Sequence, residues 1–403
     1  MTCLLKNARL LDAHYDHASL DVLVADDKIA AVGTELGPAD REIDLTGYTV
    51  LPGFIDAHVH VAVFDHAFRD DAVRPWARNG VTTVRELGML SVLSQEAYAK
   101  WLAQNNQNPE TAHVIATGKY IDVAGGYGAG PNPNRPCGKL VTTPEEAADA
   151  VTAAYTLGYP GIKIGIHDGS MDTTPHLSPK MAKAICDRAH AHGMWVAAHI
   201  GNCKGAQFML EAGVDELAHT PSDNMSDEML QDMVRRGIIM DTTVGDPDKA
   251  PDMAPPPGMD GSGGPPDGMG PPPGGMPMDP EKLAAERKEN QKHMRENLRR
   301  FYAAGGTIVA GTDLIHSRDY TVDAAIPVGE LKQLALAGLP LQAIIATATA
   351  NAARVVGTNE GILEPGRLAN LIVVPGPVDL TFNALKHVKL VIHGGNFIRN
   401  ELV

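Results

Sequence analysis

Eight short apolar runs, separated for the most part by helix-patterned segments, constrain this chain more than any other feature of its sequence. In order they are VLPGFIDAHVH, VTTVREL, HVIATGK, GIKIGI, WVAAHI, VDELAHT, IIMDTTV and GTIVAGTD. Apolar runs alternating with helices are the pattern of a parallel sheet with crossover connections. TPEEAADAVTAAYTLG, SPKMAKAICDRAHAHG and CKGAQFMLEAG lie between them, and each ends in Gly, a common helix stop. Eight strands in βα order predict an α/β fold, a (β/α)8 TIM barrel over residues 53–355. An open, doubly wound sheet is the competing arrangement. A chain of 403 residues has room for a barrel of ~250 residues and a smaller unit.

The two ends of the chain read differently. LLKNARLLD, ASLDVLVADDKIAAVG and REIDLTGYTV near the start alternate or run apolar between turn residues, as do ANLIVVPG and KLVIHGGNFIR near the end. They predict one small β-sandwich domain assembled from residues 1–52 and 356–403. Residues 246–280 stand apart as a flexible insertion dominated by Pro, Gly and Met. Such a stretch buries too little apolar surface to offset its ordering entropy. It follows the seventh run, so a barrel would carry it on the catalytic face. A lid, a partner-contact loop and a tolerated insertion all fit that position.

Composition excludes some classes. The formal net charge of -15 argues against a nucleic-acid binder, which needs clustered Lys and Arg. Cys3, Cys137, Cys186 and Cys203 are scattered, with no CxxC pair. That spacing predicts neither a disulfide framework nor a zinc knuckle. The first residues lack the apolar core of a signal peptide, and no run of 18 apolar residues suggests a membrane span. A cytoplasmic protein acting on a small molecule is the expectation, with homo-oligomerisation left open.

Six polar residues interrupt the apolar runs near their C-terminal ends. They are His58, His60, Lys163, His199, His219 and Asp313. In a barrel those ends converge on one rim, so residues distant in sequence become neighbours. His58 and His60, two apart on a strand, point to the same face. Singly, each has a structural explanation: a satisfied core histidine, a helix-capping Asp, a snorkelling Lys. Jointly they are costly to bury without compensation, and two divalent cations would compensate. Lys163 as an ammonium would be repelled by them. A buried lysine of depressed pKa offers the neutral amine that carbon dioxide converts to an anionic, bridging carbamate. Lys119, at the end of its own run, competes for that role.

VLPGFIDAHVH, GIKIGI, VAAHI, ELAHT and VAGTD, in this order, resemble the amidohydrolase superfamily over nearly the whole chain. VTTVREL, ATGKYIDVAGGYG and AHAHGMWVAAH are most similar to its prolidase and imidazolonepropionase-related group. The resemblance implies that His58, His60 and Asp313 hold a buried metal, His199 and His219 an exposed one, and carboxylated Lys163 and a hydroxide bridge them. It implies that Asp313 is also the catalytic proton shuttle. Zinc suits the His-rich set. Arg85, Tyr127 and His316 are candidates to meet substrate, with an ion pair the alternative for Arg85; His167 and Arg318 are weaker candidates. The function implied is hydrolysis of an amide or peptide bond, in a dipeptide or N-acyl amino acid, by the bridging hydroxide. Hydrolysis or deamination of a cyclic amide or heterocycle, and lactone or ester hydrolysis, are the alternatives.

Overall fold

The computed structural model describes residues 1–64, 70–130, 134–166, 174–248, 280–315 and 325–402. Each of the eight apolar runs contains a strand: β1 (Phe54–His60), β2 (Val81–Glu86), β3 (His113–Ala116), β4 (Gly161–Gly165), β5 (Trp195–His199), β6 (Glu216–Leu217), β7 (Ile239–Asp241) and β8 (Thr307–Val309). Strands β1, β2 and β3 form one parallel arc. Strands β4 to β8 form a second, also parallel and in chain order. The arcs meet where β8 ends against β1. There the Ala57 N–H donates to Ala310 O at 3.0 Å and the Asp313 N–H to His58 O at 2.8 Å. Among the described residues no ladder joins β3 to β4.

A helix follows each strand: α1 (Asp70–Arg78), α2 (Gln95–Asn105), α3 (Pro144–Thr156), α4 (Pro179–Ala191), α5 (Cys203–Ala212), α6 (Asp227–Arg236), α7 (Pro280–Ala303) and α8 (Val328–Leu336). The starts of α2 to α6 are encoded locally. Ser94, Thr143, Ser178, Asn202 and Ser226 each accept the backbone N–H three residues on. Each cap contributes about 1 kcal/mol by satisfying an otherwise orphaned donor. Gly213 and Gly237 end α5 and α6 in the left-handed conformation, where a side chain would be strained. The three segments read as helices from the sequence are α3, α4 and α5. Every residue of β1, β2 and β4 is buried, so neither face of these strands alternates with solvent.

The two ends of the chain build one mixed sheet. Its order runs from Asn396–Asn400 through Leu390–His393, Leu371–Pro375, Tyr48–Pro52, Thr2–Leu11 and Asp16–Ala25 to Lys28–Gly33, with Arg41–Asp44 paired to Thr2–Leu11. Leu5, Leu10, Val22, Val50, Leu371 and Ile392 pack in a core of its own. Buried Glu360 ties this sheet's end of the chain to β2, accepting from Thr83 Oγ1 at 2.8 Å and from Asn370 Nδ2 at 2.5 Å. No described helix is long and apolar enough to cross a membrane.

One charged pair connects the two arcs from inside. Arg85 on β2 is fully buried and grips Glu216 on β6 with two hydrogen bonds, at 2.8 and 2.5 Å, while its Nε donates to Ala57 O at 2.7 Å. Its guanidinium lies 5.1 Å from the Trp195 ring on β5. Removing one partner strands the other charge in the core. Arg85→Ala or Glu216→Ala is therefore expected to cost about 3–5 kcal/mol, read from urea unfolding. The double change Arg85→Met with Glu216→Leu is expected to recover most of that loss. Equal destabilisation by the double and single variants would show that the pair acts through volume rather than charge.

Candidate metal centre

The strand ends supply the side chains. His58 and His60 close β1 on one face, His199 closes β5, His219 follows β6 and Asp313 follows β8. His58, His219 and Asp313 each offer a ligand atom, and these atoms lie within 4.8 Å of one another. Asp313 Oδ1 is 3.3 Å from His58 Nε2 and 3.1 Å from His60 Nε2. The imidazole centroids of His58 and His60 are 5.3 Å apart, those of His58 and His219 5.0 Å, and those of His199 and His219 4.4 Å. Four imidazoles and a carboxylate thus share one small volume at the C-terminal ends of the strands.

Electrostatics keep this set ready to donate lone pairs. Burial, then the nearby Lys163, hold the His58 imidazole well below its ordinary range. Burial and His199 do the same to His219. Neutral imidazole is the form that binds metal. Burial alone would raise the Asp313 carboxyl, yet His58, His219 and His60 outweigh it and hold the group well below the usual carboxylate range. Its side chain keeps 38% of its surface exposed, so the three imidazoles are the cause that matters.

Lys163 in β4 is buried and its Nζ has no hydrogen-bond partner; neither does His58 Nε2. Burial pulls the Lys163 amine down to about 8, against the opposing fields of Asp313, Glu216 and Asp241. Its stem packs where a Cβ on Gly88 would stand, 3.0 Å from Lys163 Cγ. His58, His219 and Asp313, whose donor atoms lie within 4.8 Å of one another, fit a metal; Lys163 fits beside one only as a neutral amine or its carbamate. Lys119 is elsewhere. It is half-buried, and its charged neighbours are Cys137, Glu96 and Lys139 rather than the imidazoles.

Further polar groups hold these side chains in place. His58 Nδ1 is 3.0 Å from Asp241 Oδ2, His60 Nδ1 is 3.2 Å from Gly88 O, and His219 Nδ1 is 2.7 Å from Thr243 Oγ1. Asp56 receives the Thr312 N–H at 3.0 Å and the Thr312 hydroxyl at 2.7 Å, next to Asp313. Buried Glu86 accepts the Ala62 N–H at 3.1 Å and the Tyr98 hydroxyl, bracing the chain just past His60. Sequence reasoning passed over Asp241, Glu216, Asp56 and Glu86. Each interrupts or ends an apolar run, the same signal that marked the histidines.

The substrate-side candidates divide. Arg85 takes its ion-pair alternative: it is fully buried and committed to Glu216 and Ala57, which corrects its reading as a substrate contact. Tyr127 does reach the site, its ring stacked 4.0 Å from His199. His316, His167 and Arg318 lie outside the described residues, as does residue range 249–279 of the Pro/Gly/Met-rich insertion.

The profile of the Amidohydrolase family matches residues 49–398. A dihydroorotase from Syntrophotalea carbinolica is 42% identical over 89 residues, which are 21% of this chain and 21% of that protein. The stretch of likeness thus spans about a fifth of that curated relative. Two solved structures share the fold over their full length. A crystal structure of an amidohydrolase superposes with a TM-score of 0.77 at 23% identity, covering all of both chains. One of a prolidase complexed with N-methylphosphonate-L-proline superposes with a TM-score of 0.76 at 20% identity, covering 99% of this chain and 100% of that one.

The contact between Asp241 and His58 has a measurable consequence. Asp241→Asn is expected to weaken divalent-cation binding by roughly 10–100-fold, because an amide, which can donate as well as accept, no longer fixes the His58 tautomer as the carboxylate does. Competition with a chromogenic chelator reads this directly; unchanged affinity would exclude Asp241 from orienting the ligand.

Proposed function

We propose that this chain, which belongs to the amidohydrolase family, is a binuclear metal-dependent hydrolase that cleaves an amide or peptide bond in a small substrate of dipeptide or N-acyl amino acid type. The observation that carries the reading is the buried Lys163 amine, which makes no hydrogen bond and interacts electrostatically with His58, His219 and Asp313. We take the two parallel arcs as the wall of one closed (β/α)8 barrel, and the mixed terminal sheet as a separate small domain. His58, His60 and Asp313 would hold one cation, His199 and His219 the other, with carboxylated Lys163 between them. Zinc suits this donor set. Divalent cations there would lower the pKa of a bound water and polarise a substrate carbonyl.

The remaining steps belong to the chain. Asp313 Oδ1 is turned to His58 and His60, which leaves Oδ2 to take the proton of the attacking water. The same oxygen then returns it to the leaving nitrogen, so that the amine departs neutral. Asp241, Gly88 O and Thr243 hold three imidazoles in one orientation throughout. Tyr127, 39% exposed and stacked on His199, would meet substrate. A second reading, hydrolysis of a cyclic amide, is favoured by the local likeness to a dihydroorotase.

Protein grown with zinc and bicarbonate is expected to carry about two metals per chain, falling on Lys163→Ala, by elemental analysis. Two metals and full activity in Lys163→Ala would remove lysine from the site. Asp313→Asn is expected to retain metal but lose turnover by roughly 10²–10⁴-fold. Dipeptides and N-acyl amino acids, assayed beside cyclic amides, separate the two substrate readings: turnover of the cyclic series alone would sink the first.

A further inference from the structure

A continuous row of rings runs out of the candidate metal centre. From the inside it passes His60, His58, His219 and His199, and it continues through Tyr127, 4.0 Å from His199 with 18° between planes, to Tyr120 at 5.9 Å. Tyr127 lies nearly parallel to the His199 imidazole, while His219 meets that ring edge-on at 81°. His199 thus has a phenol on its face, and its Nδ1 stands 2.7 Å from His219 Nε2.

The main chain around Tyr127 is tightly constrained. Tyr127 opens a short turn (Tyr127–Ala129) between two glycines. A Cβ on Gly126 would lie 2.4 Å from Asp122 Oδ1, and one on Gly128 would lie 2.0 Å from the Tyr120 ring. Buried Asp122 accepts the Val123 N–H at 2.7 Å and the Gly128 N–H at 2.8 Å, closing the turn from below. Tyr120 is itself buried, with its hydroxyl in the space a Cβ on Gly165 would need. A turn this constrained holds a 39%-exposed ring against one imidazole.

We propose that Tyr127 is a positioning residue for His199, and that it tightens the outer cation position. The proposal rests on reading His199 and His219 as ligands. His219 restrains the His199 ring at one nitrogen, and the stacked phenol restricts the remaining tilt of its plane about the Cβ–Cγ bond. The stack also strengthens on loading. A cation draws charge from the imidazole, and the electron-rich phenol face then attracts the more positive ring, as in a cation–π pair.

Cobalt(II) titration of the full chain, followed by visible absorption and elemental analysis, tests this. Tyr127→Leu and Tyr127→Met are expected to bind the second cobalt roughly tenfold more weakly, with the first unchanged. Tyr127→Phe keeps the stack and is expected to stay within about twofold of the parent protein, a span well below the ordinary effect of losing an orienting partner. Circular dichroism of the metal-free variants confirms that each is folded. If Tyr127→Leu and Tyr127→Met bind both cobalt ions as the parent does, or if Tyr127→Phe fails as they do, the stack does not position His199. His199→Ala is the control for the underlying reading. Unchanged binding in that variant would overturn the ligand assignment whatever Tyr127 does.

Discussion

The structure is organised around the desolvation of polar side chains at one end of a parallel sheet. Four imidazoles, Asp313 and Lys163 converge where apolar strands end. Taking such groups out of water is unfavourable unless each finds a partner or sheds its charge. The centre uses both routes. His58 and His219 are held neutral, and the Lys163 amine is drawn toward neutrality. Partners sit behind them: Asp241 for His58, Gly88 O for His60, Thr243 for His219. Lys163 Nζ and His58 Nε2 make no hydrogen bond, and His58 Nε2 lies 3.3 Å from the Asp313 carboxylate.

The same constraint links the centre to the body of the fold. Glu216 and Asp241 stand on adjacent strands β6 and β7, and Lys163 aligns with Glu216 through Ala197 of β5. Burial and the Glu216 carboxylate push Asp241 up, while Arg85 and Lys163 pull it down. Arg85 therefore does more than join two arcs. By neutralising Glu216 it limits the repulsion on the carboxylate that orients His58. A cation on His58 would act in the same sense, so loading and the ionised form of Asp241 support each other. Stability and ligand geometry are two outcomes of one buried charge arrangement.

Much of this was legible before any coordinates. Buried strands must be apolar, so a histidine closing FIDAHVH, WVAAHI or VDELAHT, or a lysine inside GIKIGI, is conspicuous. The strand order then brings them together. The same signal is present at Arg85, Glu216 and Asp241, of which sequence reasoning weighed only Arg85, and it does not say which of them pair, because pairing between strands far apart in sequence depends on register and rotamer. Nor is the Tyr127–His199 stack written in any local pattern: it depends on Asp122 and Tyr120 lying beneath a glycine-flanked turn. Arg85 shows the cost of judging a charged residue by its strand alone. Its partner decides whether it faces substrate or core.

The position of Asp313 shows how backbone strain serves the centre. It follows β8 but adopts φ 55, in the left-handed region, where a side chain other than glycine's costs about 1 kcal/mol. Had the chain continued in the β conformation, the carboxylate would have followed the direction of β8. The left-handed turn instead sends it back over β1. The turn is held on both sides: Asp313 donates its N–H to His58 O at 2.8 Å, and Thr312 gives both its N–H and its hydroxyl to buried Asp56. Asp56 precedes His58 by two residues on the same strand. One short segment of β1 therefore supplies two imidazoles and the anchor that aims the carboxylate at them. The strain is local, its restraints are buried, and its product is an Asp313 oxygen within 3.3 Å of both His58 and His60.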